Sequence, residues 1–397
     1  MKILCTSTSY LPAIGGAQLH MHQVSRELSR RHDIRVVTLW DSNRTDWLMG
    51  TTIRAPSTAR DYAVDGIQVH RLGFSPAEKA AMWPAVSLYY LAQARAIGSI
   101  SSRLAKKIRS IGFDPEIVHN GRIGREPLSF ASLQAARGLG VPFLLAPYHH
   151  PRWRGWWYRH FVDLYRAADG LITLTNAEKE LLSRVGVSPE RVFVTGMGPV
   201  LSEKSDPASF IERQRIPGPI ILFLGQHYRY KGFREVLQAA PLVWTKVPEA
   251  HFVFIGPPVG GSEKHFQAVV DRRIRRLGMV DQQTKTDALA ACDLLCVPSR
   301  QESFGGVYTE AWAFEKPVIG CDIAAVREVI EDGVSGFLVD QKPDLIAERI
   351  IHLLLNPDLA QKMGQAGRRR LEAKFTWSQI ATRTEQAYLQ VLSGGTQ

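Results

Sequence analysis

The sequence of 397 residues is poor in the features that mark membrane-spanning, metal-binding and disulfide-rich chains. It holds only four cysteines, and their spacing does not pair them as metal ligands. No uncharged apolar run reaches the roughly 18 residues of a membrane span, so we expect no transmembrane helix. The very short apolar stretch after Met1 predicts no signal peptide. These absences predict a reduced, cytoplasmic protein.

Several chemical signatures are missing as well. The chain has no Asp-x-Asp pair and no His/Cys/Asp cluster with ligand spacing, so we expect no metal and no cofactor beyond the substrates. The Gly-x-Gly-x-x-Gly pattern of nicotinamide enzymes is absent. No nucleic-acid-binding module is visible, although a net charge of +11 favours anionic partners. Phosphate-bearing ligands and an anionic membrane face remain, beside the alternative that the charge only serves solubility.

Short apolar runs alternate with helical patterns along the whole chain. Strands alternating with helices predict parallel sheets in an α/β fold. The length predicts two domains, and a polar, proline-containing bridge near residue 200 separates two such series. We therefore expect two Rossmann-like domains, and two such halves facing each other would enclose a cleft. In the first half we also expect one long helix over 85–111 and a mobile loop over 41–63.

The segment with the clearest chemical content is Glu302-Ser-Phe-Gly-Gly-Val-Tyr-Thr-Glu310, between a predicted strand and a predicted helix. Its glycines let the backbone approach a ligand closely, and free amides at a helix start suit a phosphate. Glu302 would accept hydrogen bonds from sugar hydroxyls, and Glu310 from the two adjacent hydroxyls of a ribose. Two glutamates and a Gly-Gly pair alone would also fit an incidental surface loop.

The whole pattern resembles the E-x7-E motif of the retaining GT-B glycosyltransferases of family 4, and the resemblance covers almost the whole chain. It implies a GT-B fold with an acceptor-binding domain at 1–200 and a nucleotide-sugar-binding domain at 201–375. A last helix at 376–397 would cross back to the first domain. The resemblance gives the donor sugar and ribose to the two glutamates. It gives further sugar and diphosphate contacts to Phe304, Gly305, Gly306 and Val307.

A second block, from Gly225 to Gly232, carries the cations expected beside a diphosphate. The family has Gly-Arg at the end of the strand and Lys-Gly a few residues later, and both cations neutralise the leaving diphosphate. Here Lys231 is in place, but Gln226 stands where the arginine is expected. Arg229 is a nearby substitute, and whether it takes that role stays open.

Two further blocks in the first half resemble family positions. Gly15 and Gly16 form a Pro-x-x-Gly-Gly turn after the first strand, where the resemblance implies amides lining the donor. The alternative is a purely structural turn. His149 and His150 end a later strand, where the family often has a histidine at the transferred sugar. Strand alignment favours His149 and the following proline favours His150, so both remain candidates.

Base recognition is less readable in the sequence. The segment around Met279 and Val280 resembles the family segment that packs on the nucleobase, and we expect one of these two residues to touch the base. Uracil follows from the resemblance alone, because it is common in the family. UDP-glucose is the first donor we would test.

An aromatic and basic segment over 152–166 follows the two histidines directly. One interpretation is a stripe of residues that face the core. The other is a surface for the acceptor or for peripheral contact with the inner face of an anionic membrane, because Trp, Tyr and Arg suit interfaces. The Trp83 and Tyr89-Tyr90 region would extend such a surface.

The resemblance implies an enzyme that moves a hexose from a UDP-sugar to a saccharide or lipid-linked saccharide with retention. The resemblance places this activity in polysaccharide, exopolysaccharide or glycolipid biosynthesis. His149, His150, Lys231 and Glu302 are the residues expected at the reacting bond. The alternative is a non-catalytic scaffold of the same fold that binds a sugar nucleotide or a polysaccharide, and Gln226 in place of arginine keeps that alternative open.

Overall fold

The protein is described from a computed structural model, which covers residues 1–13, 15–42, 48–122, 124, 126–149 and 155–394, without the side chain of Trp157. The chain divides into two compact units. Unit 1 comprises Met1–Gly196 and Trp377–Gln397, and unit 2 comprises Met197–Thr376.

Unit 1 is built on a mainly parallel sheet, with eight strands in the described part of the chain, in the order β3-β4-β2-β1-β5-β6-β7-β8. The central strands β1, β5 and β6 are buried at every position except Lys2, as expected where helices cover both faces of a parallel sheet. The strands are β1 (Lys2–Ser9), β2 (Asp33–Trp40), β3 (Arg60–Val64), β4 (Ile67–Arg71), β5 (Ile117–Gly121), β6 (Phe143–Ala146), β7 (Gly170–Thr173) and β8 (Val192–Val194).

The edge strand β3 corrects the expectation of a mobile loop over 41–63. β3 pairs antiparallel with β4 through a two-residue turn at Asp65 and Gly66, which have φ of 48° and 81°. Both values lie in the left-handed region that a tight hairpin turn requires, and Asp-Gly is a favoured pair for it. Of the expected loop, 43–47 lies outside the described residues.

The helices of unit 1 correct a second expectation, the single long helix over 85–111. The chain instead forms two helices, and 88–92 turns between them. The second helix buries one face, which includes Ile97, Ile100 and Leu104. The helices are α1 (Gly16–Leu28), α2 (Pro76–Ser87), α3 (Gln93–Arg109), α4 (Leu128–Leu139), α5 (Arg159–Ala167) and α6 (Asn176–Arg184).

Unit 2 holds a fully parallel sheet of six strands, in the order β11-β10-β9-β12-β13-β14. The strands are β9 (Ile220–Leu224), β10 (His251–Ile255), β11 (Ile274–Gly278), β12 (Leu294–Val297), β13 (Val318–Cys321) and β14 (Phe337–Val339). The helices are α7 (Pro207–Gln214), α8 (Phe233–Trp244), α9 (Glu263–Gln267), α10 (Gln282–Ala291), α11 (Gly306–Trp312), α12 (Ala324–Val329), α13 (Pro343–Leu355) and α14 (Pro357–Lys374). The predicted α/β class is confirmed.

The C-terminal helix α15 (Trp377–Gly394) is part of unit 1. Tyr388 is buried, and its hydroxyl lies 2.7 Å from Nδ1 of His119 in β5. Arg383 donates to the carbonyl of Thr195, just before the chain leaves unit 1. These hydrogen bonds hold α15 against the sheet of unit 1.

Two properties of the described chain concern its chemistry. No helix among the described residues is long and apolar enough to cross a membrane. The four cysteines are all buried as free thiols, and burial raises their pKa, to about 11 for Cys5 and Cys321 and to about 12 for Cys292. High thiol pKa values make these cysteines weak nucleophiles.

Candidate functional site

The segment Glu302–Glu310 links β12 to α11 in unit 2. Gly305 has φ of 88°, and a Cβ on this residue would lie 2.3 Å from the Tyr308 ring, so only glycine fits here. Phe304 is buried and packs edge-on against Phe375 at 5.2 Å. This packing fixes the loop, and Glu302 precedes it at the carboxyl end of a buried strand.

Glu302 forms an ion pair with Lys231, with 2.5 Å between Oε1 and Nζ. The two side chains are 11% and 22% exposed, so the pair is shielded but reachable from solvent. Lys231 ends a 3-10 turn, Arg229–Lys231, in the loop after β9. Because β9 and β12 are adjacent parallel strands, their carboxyl ends bring these two loops together. The structure thus joins two residues that the sequence predicted from separate motifs.

Gln341 holds these two loops together and was missed by sequence reasoning. It is buried, and its Nε2 donates to the carbonyl of Tyr230 at 2.9 Å and to that of Pro298 at 2.7 Å. Gly232 allows the approach, because a Cβ there would lie 2.8 Å from Pro298. The glutamine therefore positions the Lys231 loop against the Glu302 loop.

Glu310 lies in α11 and is also paired with a lysine. Oε1 of Glu310 is 2.8 Å from Nζ of Lys285 and accepts the backbone N–H of Val200 at 3.3 Å. Lys285 in turn donates to the carbonyl of Val200 at 2.6 Å. The sequence did not single out Lys285, because its partner is 25 positions away on another helix.

The segment proposed for the base lies between β11 and α10. Met279 is 78% exposed, an unusual exposure for a large apolar side chain, and Val280 is half-buried. Asp281 caps α10 by accepting the backbone N–H of Thr284 at 2.7 Å. Lys285, the partner of Glu310, lies in the first turns of that same helix. It is therefore close in sequence to the segment proposed for the base.

In the block from Gly225 to Gly232, the position where glutamine stands in place of the expected arginine is exposed to solvent. Gln226 and Arg229 are both exposed. His227 between them is buried, and its ring stacks on Phe233 with 5.4 Å between the ring centroids. Burial among aromatic rings lowers the pKa of His227 to about 4, so this imidazole is neutral at pH 7. A buried aromatic anchor therefore fixes the loop that carries the exposed Gln226 and Arg229.

In unit 1, Gly15 and Gly16 precede and open α1. Gly15 is extended, with φ of −172°, and a Cβ on Gly16 would meet no atom within 4 Å. Neither residue has the positive φ that would require a glycine at its position. Open space beside Gly16 leaves the α1 backbone accessible there.

Hydrogen bonds between three side chains, here called the relay, fix Tyr10 at the start of the loop between β1 and α1. The Tyr10 hydroxyl is 2.8 Å from Nδ1 of His22, and Nε2 of His22 is 2.9 Å from Oδ2 of Asp65. Tyr10 and His22 are buried. The relay connects the loop to α1 and to the β3–β4 turn.

His149 follows β6 and is almost buried, whereas His150 lies outside the described residues. The Tyr165 hydroxyl accepts from Arg122 at 2.8 Å and lies 3.3 Å from Nδ1 of His149. The Tyr165 hydroxyl therefore links the Arg122 guanidinium to the His149 ring.

Glu178 fixes the backbone at His149 and was also missed by sequence reasoning. Its carboxylate accepts the N–H of His149 at 2.5 Å and the N–H of Leu174 at 3.0 Å. Full burial raises the pKa of Glu178 to about 7, although these two hydrogen bonds favour the ionised form. Tyr148, just before His149, has φ of 42°, which is rare for a residue with a Cβ. A strained residue and a buried carboxylate together hold this short loop.

The aromatic segment over 152–166 contributes two aromatic rings to the core and exposes a third where it is described. Phe161 and Tyr165 are buried, and Trp156 is exposed beneath the guanidinium of Arg159. Residues 152–154 lie outside the described residues. Phe161 and Tyr165 therefore face the core of unit 1, as the first interpretation of this segment expects. A group of large exposed apolar side chains lies instead at 83–91.

Two family models match the chain, one in each unit. Residues 15–198 match the glycosyl transferase 4-like domain, and residues 207–370 match glycosyl transferases group 1.

The relatives named here match this chain over different fractions of their own length. The D-inositol 3-phosphate glycosyltransferase of Thermobispora bispora is 31% identical over 57% of this chain and 56% of its own. The phosphatidyl-myo-inositol mannosyltransferase of Mycobacterium tuberculosis is 31% identical over 45% of this chain and 49% of its own. The chain thus spans about half the length of these two relatives. The glycogen synthase of Mycobacterium tuberculosis is 26% identical over 99% of this chain and 96% of its own.

Solved structures share the fold over nearly the whole chain. The Anabaena protein HepE, solved with UDP and glucose, has a TM-score of 0.73 at 17% identity and covers 98% of this chain and 100% of its own. The sucrose-phosphate synthase of Thermosynechococcus elongatus has a TM-score of 0.73 at 19% identity, with 99% and 100% covered. The two family models between them match most of the sequence, and the chain belongs to the GT-B glycosyltransferases of the family 4 type.

Proposed function

We propose that the protein moves a hexose from a UDP-sugar, with UDP-glucose as the first candidate, to a hydroxyl of a saccharide or lipid-linked saccharide with retention. The Lys231–Glu302 ion pair carries this proposal. It places a cation and a carboxylate at the carboxyl ends of two adjacent parallel strands, where α/β sheets bind their ligands.

Each residue near this pair has a role that fits a donor with a diphosphate. Lys231 neutralises the diphosphate as it leaves, and Glu302 accepts hydrogen bonds from the sugar. The backbone of Gly305, Gly306 and Val307 contacts the sugar and diphosphate, where Gly305 leaves the loop without a side chain. Glu310 receives the ribose. Exposed Met279 or its neighbour Val280 covers the base.

The reaction we propose needs neither a metal ion nor a nucleophilic side chain. The acceptor hydroxyl attacks the anomeric carbon from the face that the diphosphate leaves. The bond from carbon to the phosphate oxygen breaks, the bond to the acceptor oxygen forms, and the diphosphate takes the acceptor proton. His149, and the Gly15-Gly16 backbone, keep the contacts to sugar and donor that the family resemblance implies.

The names of the similar proteins support the substrate classes without assigning them. HepE was solved with UDP, and the named relatives act on inositol compounds or make glycogen. These names favour a UDP-sugar donor and a polyhydroxylated acceptor for this chain. A non-catalytic scaffold remains the second candidate, because Gln226 removes one cation from the diphosphate site.

The test is a screen of nucleoside diphosphate sugars by thermal shift, followed by an assay for released nucleoside diphosphate. A bound donor raises the apparent melting temperature. We expect UDP-glucose or another UDP-sugar to give the largest shift and slow release of UDP, and Glu302→Ala and Lys231→Ala to abolish release. Tight binding of a donor without release or transfer to any acceptor would instead establish the scaffold.

We also propose that unit 1 makes peripheral contact with the inner face of an anionic membrane. The end of α2 and the turn that follows it expose Trp83, Leu88, Tyr90 and Leu91, here called the 83–91 surface, and Leu91 is 86% exposed. The segment 76–109 that carries it has six basic residues and one acidic residue. Exposed Trp, Tyr and Leu beside basic residues suit the interface of anionic lipids. A lipid-linked acceptor would then be met at the membrane.

A further inference from the structure

The Lys285–Glu310 pair bears on how the donor is recognised. Both described hydrogen bonds of Glu310 end on Oε1, from Lys285 and from the Val200 amide. Oε2 takes part in neither. The Lys285 and Glu310 side chains are 16% and 9% exposed, so the pair is largely shielded from water. An ionised carboxylate accepts on both oxygens, so Oε2 is the oxygen left for a ligand.

Lys285 has donor capacity beyond its two described contacts. Its ammonium carries three hydrogens, of which one points to Glu310 and one to the carbonyl of Val200. Gln282, one turn earlier, donates to the same carbonyl. The two contacts of Lys285, to Val200 and to Glu310, hold its ammonium beside the Glu310 carboxylate.

A ribose presents two neighbouring hydroxyls, and this geometry divides them between two side chains. A carboxylate with one oxygen already occupied by two donors is poorly suited to bind both hydroxyls alone. We propose that Lys285 and Glu310 form the ribose subsite together, with Oε2 of Glu310 accepting from one hydroxyl and Nζ of Lys285 donating to the oxygen of the other. Hydrogen bonds from charged groups are the stronger class, so the subsite selects ribose over deoxyribose. This proposal rests on the proposed donor site.

The test compares nucleoside diphosphates with their 2′-deoxy and 3′-deoxy counterparts, each of which lacks one of the two hydroxyls. Binding of UDP, GDP and ADP and of the matched deoxy compounds is measured by calorimetry, and the tightest base is used throughout. We expect wild type to prefer the ribose form over each deoxy form by about 10- to 100-fold, the range of a hydrogen bond to a charged group. Lys285→Met brings the preference over one of the two deoxy forms to within about threefold, and Lys285→Arg restores part of it.

Three controls separate the subsite from a structural role. Lys362→Met removes an exposed lysine of α14 and leaves the preference unchanged. Glu310→Gln lowers the preference over the other deoxy form, and the double variant Lys285→Met/Glu310→Gln loses both preferences, because each residue binds its own hydroxyl. Melting temperatures show whether each variant is folded.

The outcomes distinguish this proposal from the one it rests on. If Lys285→Met binds the diphosphate and keeps the wild-type preference for ribose while only its melting temperature falls, Lys285 is structural and the inference is wrong. If wild type binds none of the three nucleoside diphosphates, the donor site itself is wrong. A preference that falls with Lys285→Met in a folded variant supports both.

Discussion

Lys231 and Glu302 lie 2.5 Å apart, Nζ to Oε1, although 71 positions separate them in the chain. In the donor site that we propose, this ion pair would neutralise the lysine and the glutamate before a donor arrives. A donor that brings a diphosphate and a hydroxylated ring would supply each of them with a new partner. The pair therefore keeps both charges in place without leaving either one unpaired in a shielded site.

Single substitutions in this pair are expected to separate phosphate binding from sugar binding. Lys231→Met loses affinity for UDP itself, whereas Glu302→Gln binds UDP nearly as well as wild type but no longer favours a UDP-sugar over UDP. Both lower kcat/KM by about 100- to 1,000-fold, the usual effect of losing a charged contact at a reacting group. Calorimetry with UDP and the UDP-sugar, with steady-state kinetics, measures this.

Lys342→Met is the matched control, because this lysine pairs with Asp340 at 3.4 Å on an exposed surface. An exposed pair contributes little, and the variant should resemble wild type. Equal loss of UDP affinity in Lys231→Met and Glu302→Gln would contradict the division of roles.

The departure at Gln226 leads to a prediction of rescue. If Arg229 supplies the second cation, Arg229→Ala lowers the affinity for UDP by about tenfold, and restoring the family residue in Gln226→Arg/Arg229→Ala regains most of it. Both positions are exposed, so neither change disturbs the core. Unchanged UDP binding in Arg229→Ala would show that this arginine does not serve the diphosphate.

Gly16→Ala tests whether a ligand approaches the backbone of α1. The added methyl group meets no atom within 4 Å, so folding and melting temperature should be unaffected. A ligand lying against this backbone would be displaced by about 1 Å, and kcat/KM should fall by about 100-fold. Gly98→Ala, in helix α3 and with equally open surroundings, is the control that keeps full activity. Wild-type kinetics in Gly16→Ala would leave this loop a purely structural turn.

The buried carboxyl of Glu178 predicts a pH dependence. Its folded pKa of about 7 lies above the ordinary value of 4.5, so between these pH values the folded state holds a proton that the unfolded state lacks. Its contribution to the free energy of unfolding therefore falls as pH rises from about 4.5 to about 7. Below pH 7 the protonated carboxyl also accepts more weakly from the His149 amide, so kcat should fall.

Glu178→Gln should have a lower kcat without the inflection near pH 7, and a flatter unfolding free energy over that window. Glu180→Gln, two residues away and 70% exposed, is the control and keeps the wild-type profile. The idea fails if the inflection persists unchanged in folded Glu178→Gln.

The 83–91 surface predicts binding to anionic vesicles. The protein should sediment with phosphatidylglycerol vesicles and much less with phosphatidylcholine, and high salt should weaken the binding. Trp83→Ser/Leu91→Ser should remove most of it, while Leu389→Ser, an exposed apolar side chain in α15, should not. Vesicle binding that the double variant retains would place the contact elsewhere, and a dimer lost in that variant would make the surface a self-interface.

Much of the fold could be predicted because apolar runs mark buried parallel strands directly. The β9 run Ile220–Leu224 is buried at every position and allows little else. The hairpin β3–β4 was missed because β3 is mostly exposed and polar, and the Asp65-Gly66 turn was its only strong signal. The helix predicted over 85–111 was wrong at 88–92, where large apolar side chains are exposed in a turn and apolar periodicity does not indicate burial.

The site was predictable only where its residues belong to a local motif. Glu302, Glu310 and Lys231 stand in short patterns that resemble the family, and the structure brings Lys231 to Glu302. Lys285, Gln341 and Glu178 act through partners that are distant in sequence or belong to the backbone. A lone Lys, Gln or Glu in an amphipathic pattern is typical of a solvated face, and only tertiary contacts reveal its role.

The central claim is most directly tested by following a UDP-sugar and an acceptor saccharide with proton NMR. We expect the anomeric signal of the α-linked donor to decay, an α-linked product to appear at the same rate as UDP, and both to be lost in Glu302→Gln. A β-linked product would contradict retention. A donor that stays intact with every acceptor and every nucleotide base, in a folded protein, would contradict the transferase itself.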